Sequence, residues 1–143
     1  MGEYTALLPV DVETDRARRA ADAVTSLPGD PDDVTAVVLH VVEPFQGTDE
    51  GPVVETEDLY DDELPDSATA AIETLEDGGV SVETRQMKGD PSETILDVAR
   101  EIDADSIVMS GRKRSPTGKV LFGSTVQSVL LSADRPVITV LTE

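Results

Sequence analysis

The 143-residue chain has no cysteine, one histidine (His40), two tyrosines and two phenylalanines. Without cysteine there is no disulfide framework, no thiolate metal site and no thiol chemistry. One histidine cannot build a histidine cluster, and in a valine-rich run His40 reads as a packed, hydrogen-bonded strand residue before it reads as a ligand. Four aromatics are too few for a base-stacking surface, and a net charge of −19 opposes approach to a phosphate backbone, so no nucleic-acid partner is expected. Long apolar runs are missing too. The longest are strand-length, and no basic N-terminal segment precedes an apolar one, which predicts neither a signal peptide nor a membrane span. The expectation is a soluble, cytoplasmic protein with no membrane partner.

Basic residues are also scarce, with 11 Lys and Arg against 30 Asp and Glu. No Lys or Arg stands between Arg19 and Arg85, where the acids cluster. Such a surface repels itself at low ionic strength and is relieved when salt screens it, so the composition reads as adaptation to a high-salt cytoplasm. A basic protein partner is the alternative, weakened by the spread of acid over several segments. The carboxylates between Asp49 and Glu63 match no defined cation-binding loop and read as hydrated surface.

The length suits one domain, residues 1–143, able to bury roughly 68–70% of its unfolded surface. Tyr4–Val10 and Val34–Val42 are apolar runs without alternation, as in buried parallel strands. Between them Ala17, Ala20, Ala21, Val24 and Leu27 recur at helical spacing before Pro28-Gly29. Residues 44–62 form a long polar loop. Leu64, Ala68, Ala71, Ile72 and Leu75 then mark a second helix closed by Gly78-Gly79, and residues 80–87 a third strand. Asp90-Pro91-Ser92-Glu93 places an N-cap acid, a proline at the first helical position and a glutamate at N3, opening a helix through Ile95, Val98, Ala99 and Ile102. Ser106-Ile107-Val108-Met109 is a fourth strand, Ser124–Ser132 a fourth helix, and Pro136-Val137-Ile138-Thr139-Val140-Leu141 a fifth strand. This alternation predicts an α/β fold, a five-stranded parallel sheet with helices on both faces, whose ligands bind at the carboxyl ends of strands near a switch in strand order.

Four of the 11 basic residues, Arg112, Lys113, Arg114 and Lys119, crowd into eight positions interleaved with Gly111, Gly118 and Gly123. Clustered cations need a neutralising anion, glycines let backbone amides approach it, and Gly123-Ser124-Thr125 opens a helix whose free N–H groups favour negative charge. Phosphate is the leading ligand; a solvated basic loop is the plainer alternative. The spacing fits neither a Walker P-loop nor a G-x-G-x-x-G dinucleotide turn.

Leu7-Leu8-Pro9-Val10-Asp11, Leu39-His40-Val41-Val42, Gly89-Asp90-Pro91, Gly123-Ser124 and Asp134-Arg135-Pro136-Val137, in this order, resemble the universal stress protein family over essentially the whole chain. The resemblance implies a Rossmann-like, adenine-nucleotide α-hydrolase-like sheet and a homodimer formed through the last strand, residues 136–141. In one branch it also implies ATP binding through G-x2-G-x9-G-[ST]. Here that spacing puts Ser110 and Lys113 at the first two glycine positions, Gly111 lies one position off, and only Gly123-Ser124 matches. Either side-chain charge and Gly123, Ser124 and Thr125 hold a triphosphate, or ATP binding has been lost.

By the same resemblance Asp11 would meet the ribose and Val41 the adenine, with Pro9, Val10 and Met109 beside them, while the charge of the basic cluster itself puts Gly111, Arg112, Lys113, Arg114 and Lys119 near the phosphates. Asp11 has a structural reading as well, as a helix N-cap, and Val41 as core. The expected function is a stress-response or regulatory nucleotide-binding protein taking ATP or another adenine nucleotide, with or without Mg, and no efficient catalysis. A ligand-free dimeric scaffold and a slow ATP hydrolase are the alternatives.

Overall fold

A computed structural model describes residues 3–43, 64–112 and 123–142. It contains strands β1 (Tyr4–Val10), β2 (Val34–Val42), β3 (Ser81–Lys88), β4 (Ser106–Arg112) and β5 (Val137–Thr142). Helices α1 (Thr14–Thr25), α2 (Asp66–Asp77), α3 (Pro91–Glu101) and α4 (Ser124–Ser132) alternate with them. All strand pairs are parallel, in the order β3-β2-β1-β4-β5.

The valine-rich strands lack alternation because both sheet faces are covered. Ala6, Leu8, Ala36, Val38 and Val108 pack beneath α1 and α2, meeting Ala17, Ala20, Ala21, Val24, Ala68, Ala71 and Leu75. Their strand neighbours Leu7, Val37, Leu39, Ile107 and Met109 point the other way, against Ile95 and Val98 of α3 and Val126 and Val129 of α4. Small alanines on α1 and α2 let those helices lie close to the sheet and to each other.

Helix ends follow from local chemistry. Asp90 caps α3 by accepting the Glu93 amide at 3.0 Å, with Pro91 following it. At the end of α2, the Val80 amide donates to the Leu75 carbonyl and the Gly79 amide to Glu76, each at 3.0 Å, with Gly79 at φ +88°. The end of α3 repeats this arrangement with Asp103 at φ +55° in the glycine's place: Ala104 donates to Ala99, and Asp103 to Arg100.

Several strand boundaries differ from the sequence reading, β3 and β5 each also ending one residue later, at Lys88 and Thr142. Val80 serves the α2 terminus, so β3 starts at Ser81. Pro136 precedes β5, its carbonyl accepting the Ile107 amide. The fourth strand runs on to Arg112, so Gly111 and Arg112 are strand residues, in register with Leu141 and Thr142, and not part of a loop. Partner-strand pairing extended β4 where composition suggested a break. The loop expected at residues 44–62, and Lys113, Arg114, Gly118 and Lys119, lie outside the described residues.

Candidate functional site

The connections β1–β2–β3 step one way across the sheet, whereas β4 and β5 lie on the other side of β1. The order therefore switches between β1 and β4, where an α/β sheet opens a crevice beyond its carboxyl ends. Pairing of β1 with β2 runs from Tyr4↔Val34 to Val10↔His40, but its pairing with β4 is confined to Ala6↔Ser106 and Leu7↔Ile107 among the described residues. Beyond that point lies a cavity of about 430 Å³ between the strand ends.

Pro9, Val10, Asp11, Val41, Met109 and Thr125, all expected from the sequence, line this cavity. Gly123 is the N-cap of α4, and Ser124 is exposed in its first turn; neither lines the cavity, although Thr125 beside them does. Gly111 is buried within β4, away from the lining. Arg112 has its backbone in β4, while its side chain, like Lys113, Arg114 and Lys119, falls outside the described parts.

The walls are mostly apolar: Leu39 and Val41 from β2, Ile95 from α3, Met109 from β4 and Val126 from α4. Among the described lining residues the charged ones are Asp11 and Glu43, with no Lys or Arg. Among the described residues, the amides at the start of α4, beside Thr125, are the groups that favour a negatively charged ligand.

Asp11 does not occupy the helix N-cap position, which belongs to Glu13. Its carboxylate Oδ1 nevertheless accepts the Glu13 amide at 2.8 Å, and Oδ2 accepts Arg16 Nη2 at 2.8 Å. The buried Ser67 hydroxyl at the start of α2 donates to the Asp11 carbonyl. On the opposite rim the Gly89 amide donates to the Val42 carbonyl at 3.0 Å, fixing the turn that carries Pro91 into the lining. Gly89 is needed there: its φ is +150°, and a Cβ would lie 2.9 Å from Thr94 Oγ1.

His40, read as a packed strand residue, is one: Nδ1 lies 3.0 Å from Gln86 Oε1 on β3. It also lines the cavity, as do Ser110, Pro91, Ile95 and Val126, none of which sequence reasoning had placed there. Pro91 and Ile95 carried a usable signal, since the Asp90-Pro91 turn follows a strand's carboxyl end. Ser67 carried none, a serine in a helical segment being unremarkable by itself.

A parallel sheet in the order β3-β2-β1-β4-β5 with a crevice at its strand-order switch defines a Rossmann-like α/β class. Within that class the chain belongs to the universal stress protein family, whose model matches residues 4–140. A universal stress protein of Mycolicibacterium smegmatis is 42% identical over 67 residues, covering 46% of this chain and 52% of the relative. The chain spans about half the length of curated relatives it matches, this one among them. The structure of a universal stress protein from Archaeoglobus fulgidus aligns with a TM-score of 0.74 at 31% identity, over 95% of this chain and 97% of that one. An A. fulgidus universal stress protein in complex with dAMP aligns with a TM-score of 0.69 at 26% identity, over 97% and 98% of the two chains.

Proposed function

We propose that this chain binds an adenine nucleotide in the crevice between β1 and β4, as a regulatory stress-response protein without efficient catalysis. One observation carries the reading: an apolar slot containing Val41 and Met109 lies between the Asp11 carboxylate and the start of α4 at Thr125. In this reading Val41 and Met109 flank the base, with Pro9 and Val10 beneath it. Asp11 accepts hydrogen bonds from the sugar hydroxyls. The phosphates lie toward the amides of Gly123, Ser124 and Thr125 and are neutralised by Arg112, Lys113, Arg114 and Lys119. The dAMP held by the A. fulgidus relative supports the adenine end of this reading. The basic segment favours ATP, with or without Mg, over a nucleotide of lower charge.

The same proposal takes residues 1–143 as one domain, working as a homodimer in a salt-rich cytoplasm. β5 ends the sheet order, and its Val137, Ile138, Val140 and Leu141 are half-buried, an edge that a second copy of the strand would cover. That edge, with Leu131 of α4 78% exposed, also supports the second reading, a dimeric scaffold acting through protein contacts. Heat-releasing bound nucleotide from protein purified in molar salt tests the choice. Adenine nucleotide in the supernatant is expected, and its absence, with no uptake of added ATP, favours the scaffold. Sustained turnover of ATP by the purified protein would make it a hydrolase instead.

A further inference from the structure

We infer that Arg16 is the positioning residue that sets how Asp11 discriminates the sugar of the bound nucleotide, an inference that rests on the adenine-nucleotide reading above. Asp11 is held at three points. The Ser67 hydroxyl fixes its carbonyl, the Glu13 amide takes Oδ1 at 2.8 Å, and Arg16 takes Oδ2 at 2.8 Å. Ser67 therefore restrains the main chain alone. The Glu13 contact comes from backbone at the start of α1. Among the described residues, Arg16 is the one that restrains the carboxylate through a side chain.

The exposures of the two partners support this role. The Asp11 side chain is 56% exposed, whereas that of Arg16 is 20% exposed. The more buried partner thus anchors the more exposed one. An unanchored carboxylate at a cavity mouth samples several rotamers, and ordering it on binding opposes affinity. An anchored one presents its oxygens in a fixed position.

A carboxylate offers about four lone-pair positions, and the two contacts leave one unused on each oxygen. Two adjacent acceptors suit two adjacent hydroxyl donors. In a nucleotide the sugar diol supplies these, whereas a phosphate meeting the same carboxylate is repelled. Arg16 also offsets the Asp11 charge in a cavity whose other described charged lining residue is Glu43. Its predicted signature is nevertheless specific to the sugar.

Titration calorimetry in molar potassium chloride with ATP and 2′,3′-dideoxy-ATP isolates that signature, because the base and phosphates are common to both ligands. Arg16→Met keeps the buried aliphatic stem and removes the donors; Arg16→Lys keeps the charge without the fork. The parent should prefer ATP by about tenfold, and Arg16→Met should reduce that preference to about twofold with dideoxy-ATP affinity unchanged. Arg16→Lys should fall between the two. An equal loss for both ligands in Arg16→Met would assign Arg16 a merely structural role and overturn the inference. An unchanged ratio, or tighter ATP binding, would overturn it as well, the latter because Arg16 would then compete with the sugar. A parent protein that binds both nucleotides equally defeats this inference and leaves nucleotide binding intact. A parent that binds neither defeats the adenine-nucleotide reading itself.

Discussion

Arg135 Nη1 donates to the Ala104 carbonyl at 2.9 Å, so a side chain just before β5 closes the C-terminal end of α3. The same nitrogen reaches the Ala99 carbonyl at 3.1 Å and Asp103 at 3.5 Å, while Nε donates to Asp134 at 3.0 Å. The planar five-donor fork fits this divergent set of acceptors, and a lysine ammonium does not reproduce it. Arg135→Lys and Arg135→Met are therefore both expected to lower the melting temperature. Arg18→Ala is the control: its 3.7 Å pair with Asp15 is exposed and should change stability by no more than about 0.5 kcal/mol. A parent-like melting temperature for Arg135→Lys would remove the fork argument.

The pH dependence of this corner follows from Asp134. The hydrogen bond from Arg135 holds its carboxyl below the ordinary value of 3.8, and the Arg135 guanidinium is itself raised, so it stays charged throughout. A carboxyl depressed on folding stabilises the protein above its unfolded value, and that contribution is lost as pH falls through the folded value. Asp134→Asn should therefore destabilise at about pH 7, with the difference from the parent shrinking toward about pH 3. Thermal melts of both proteins across this range check the sign. A difference that grew on acidification would reverse it.

Asp103 and Gly79 occupy equivalent positions after α3 and α2, at φ +55° and +88°. A β-branched residue is strained there, so Asp103→Val should cost about 1–2 kcal/mol. Asp103→Gly exchanges that strain for a more flexible unfolded chain and should stay within about 1 kcal/mol of the parent. Urea unfolding measures both. A neutral Asp103→Val would mean that the turn relaxes to another conformation.

The alternation of strands and helices, and the Asp90-Pro91 helix start, were legible because they depend on neighbours in sequence. Gly111 was misread as loop because its strand state depends on pairing with Leu141, thirty positions away. The direction each buried strand residue faces was hidden for a related reason: with both sheet faces apolar, Leu7 and Leu8 look alike although they pack against different helices. Pro9, Val10, Asp11, Val41 and Met109 were placed through family resemblance, Thr125 as part of a helix start that favours anions, and all six line the cavity. The Asp11 contacts to Arg16 and Ser67 needed coordinates, since one spans five residues and the other 56.

The acid-rich composition makes a separate prediction about salt. With a net charge of −19, screening should stabilise the fold, and the melting temperature should fall as molar potassium chloride is diluted to about 0.1 M. A flat or rising melting temperature at constant ligand occupancy would contradict adaptation to high salt.

Gly123 offers the most direct measurement of nucleotide binding. Among the described residues a Cβ at this N-cap would meet nothing within 4 Å, and its φ of −66° suits any residue, so Gly123→Val should fold like the parent. Phosphates approaching the α4 amides would meet the new side chain. Titration calorimetry with ATP in molar potassium chloride should show binding to the parent and at least about tenfold weaker binding to Gly123→Val, the equivalent of losing roughly one charge-assisted hydrogen bond. Unchanged ATP affinity in a normally folded Gly123→Val, or no binding to the parent, would contradict a nucleotide site at this crevice.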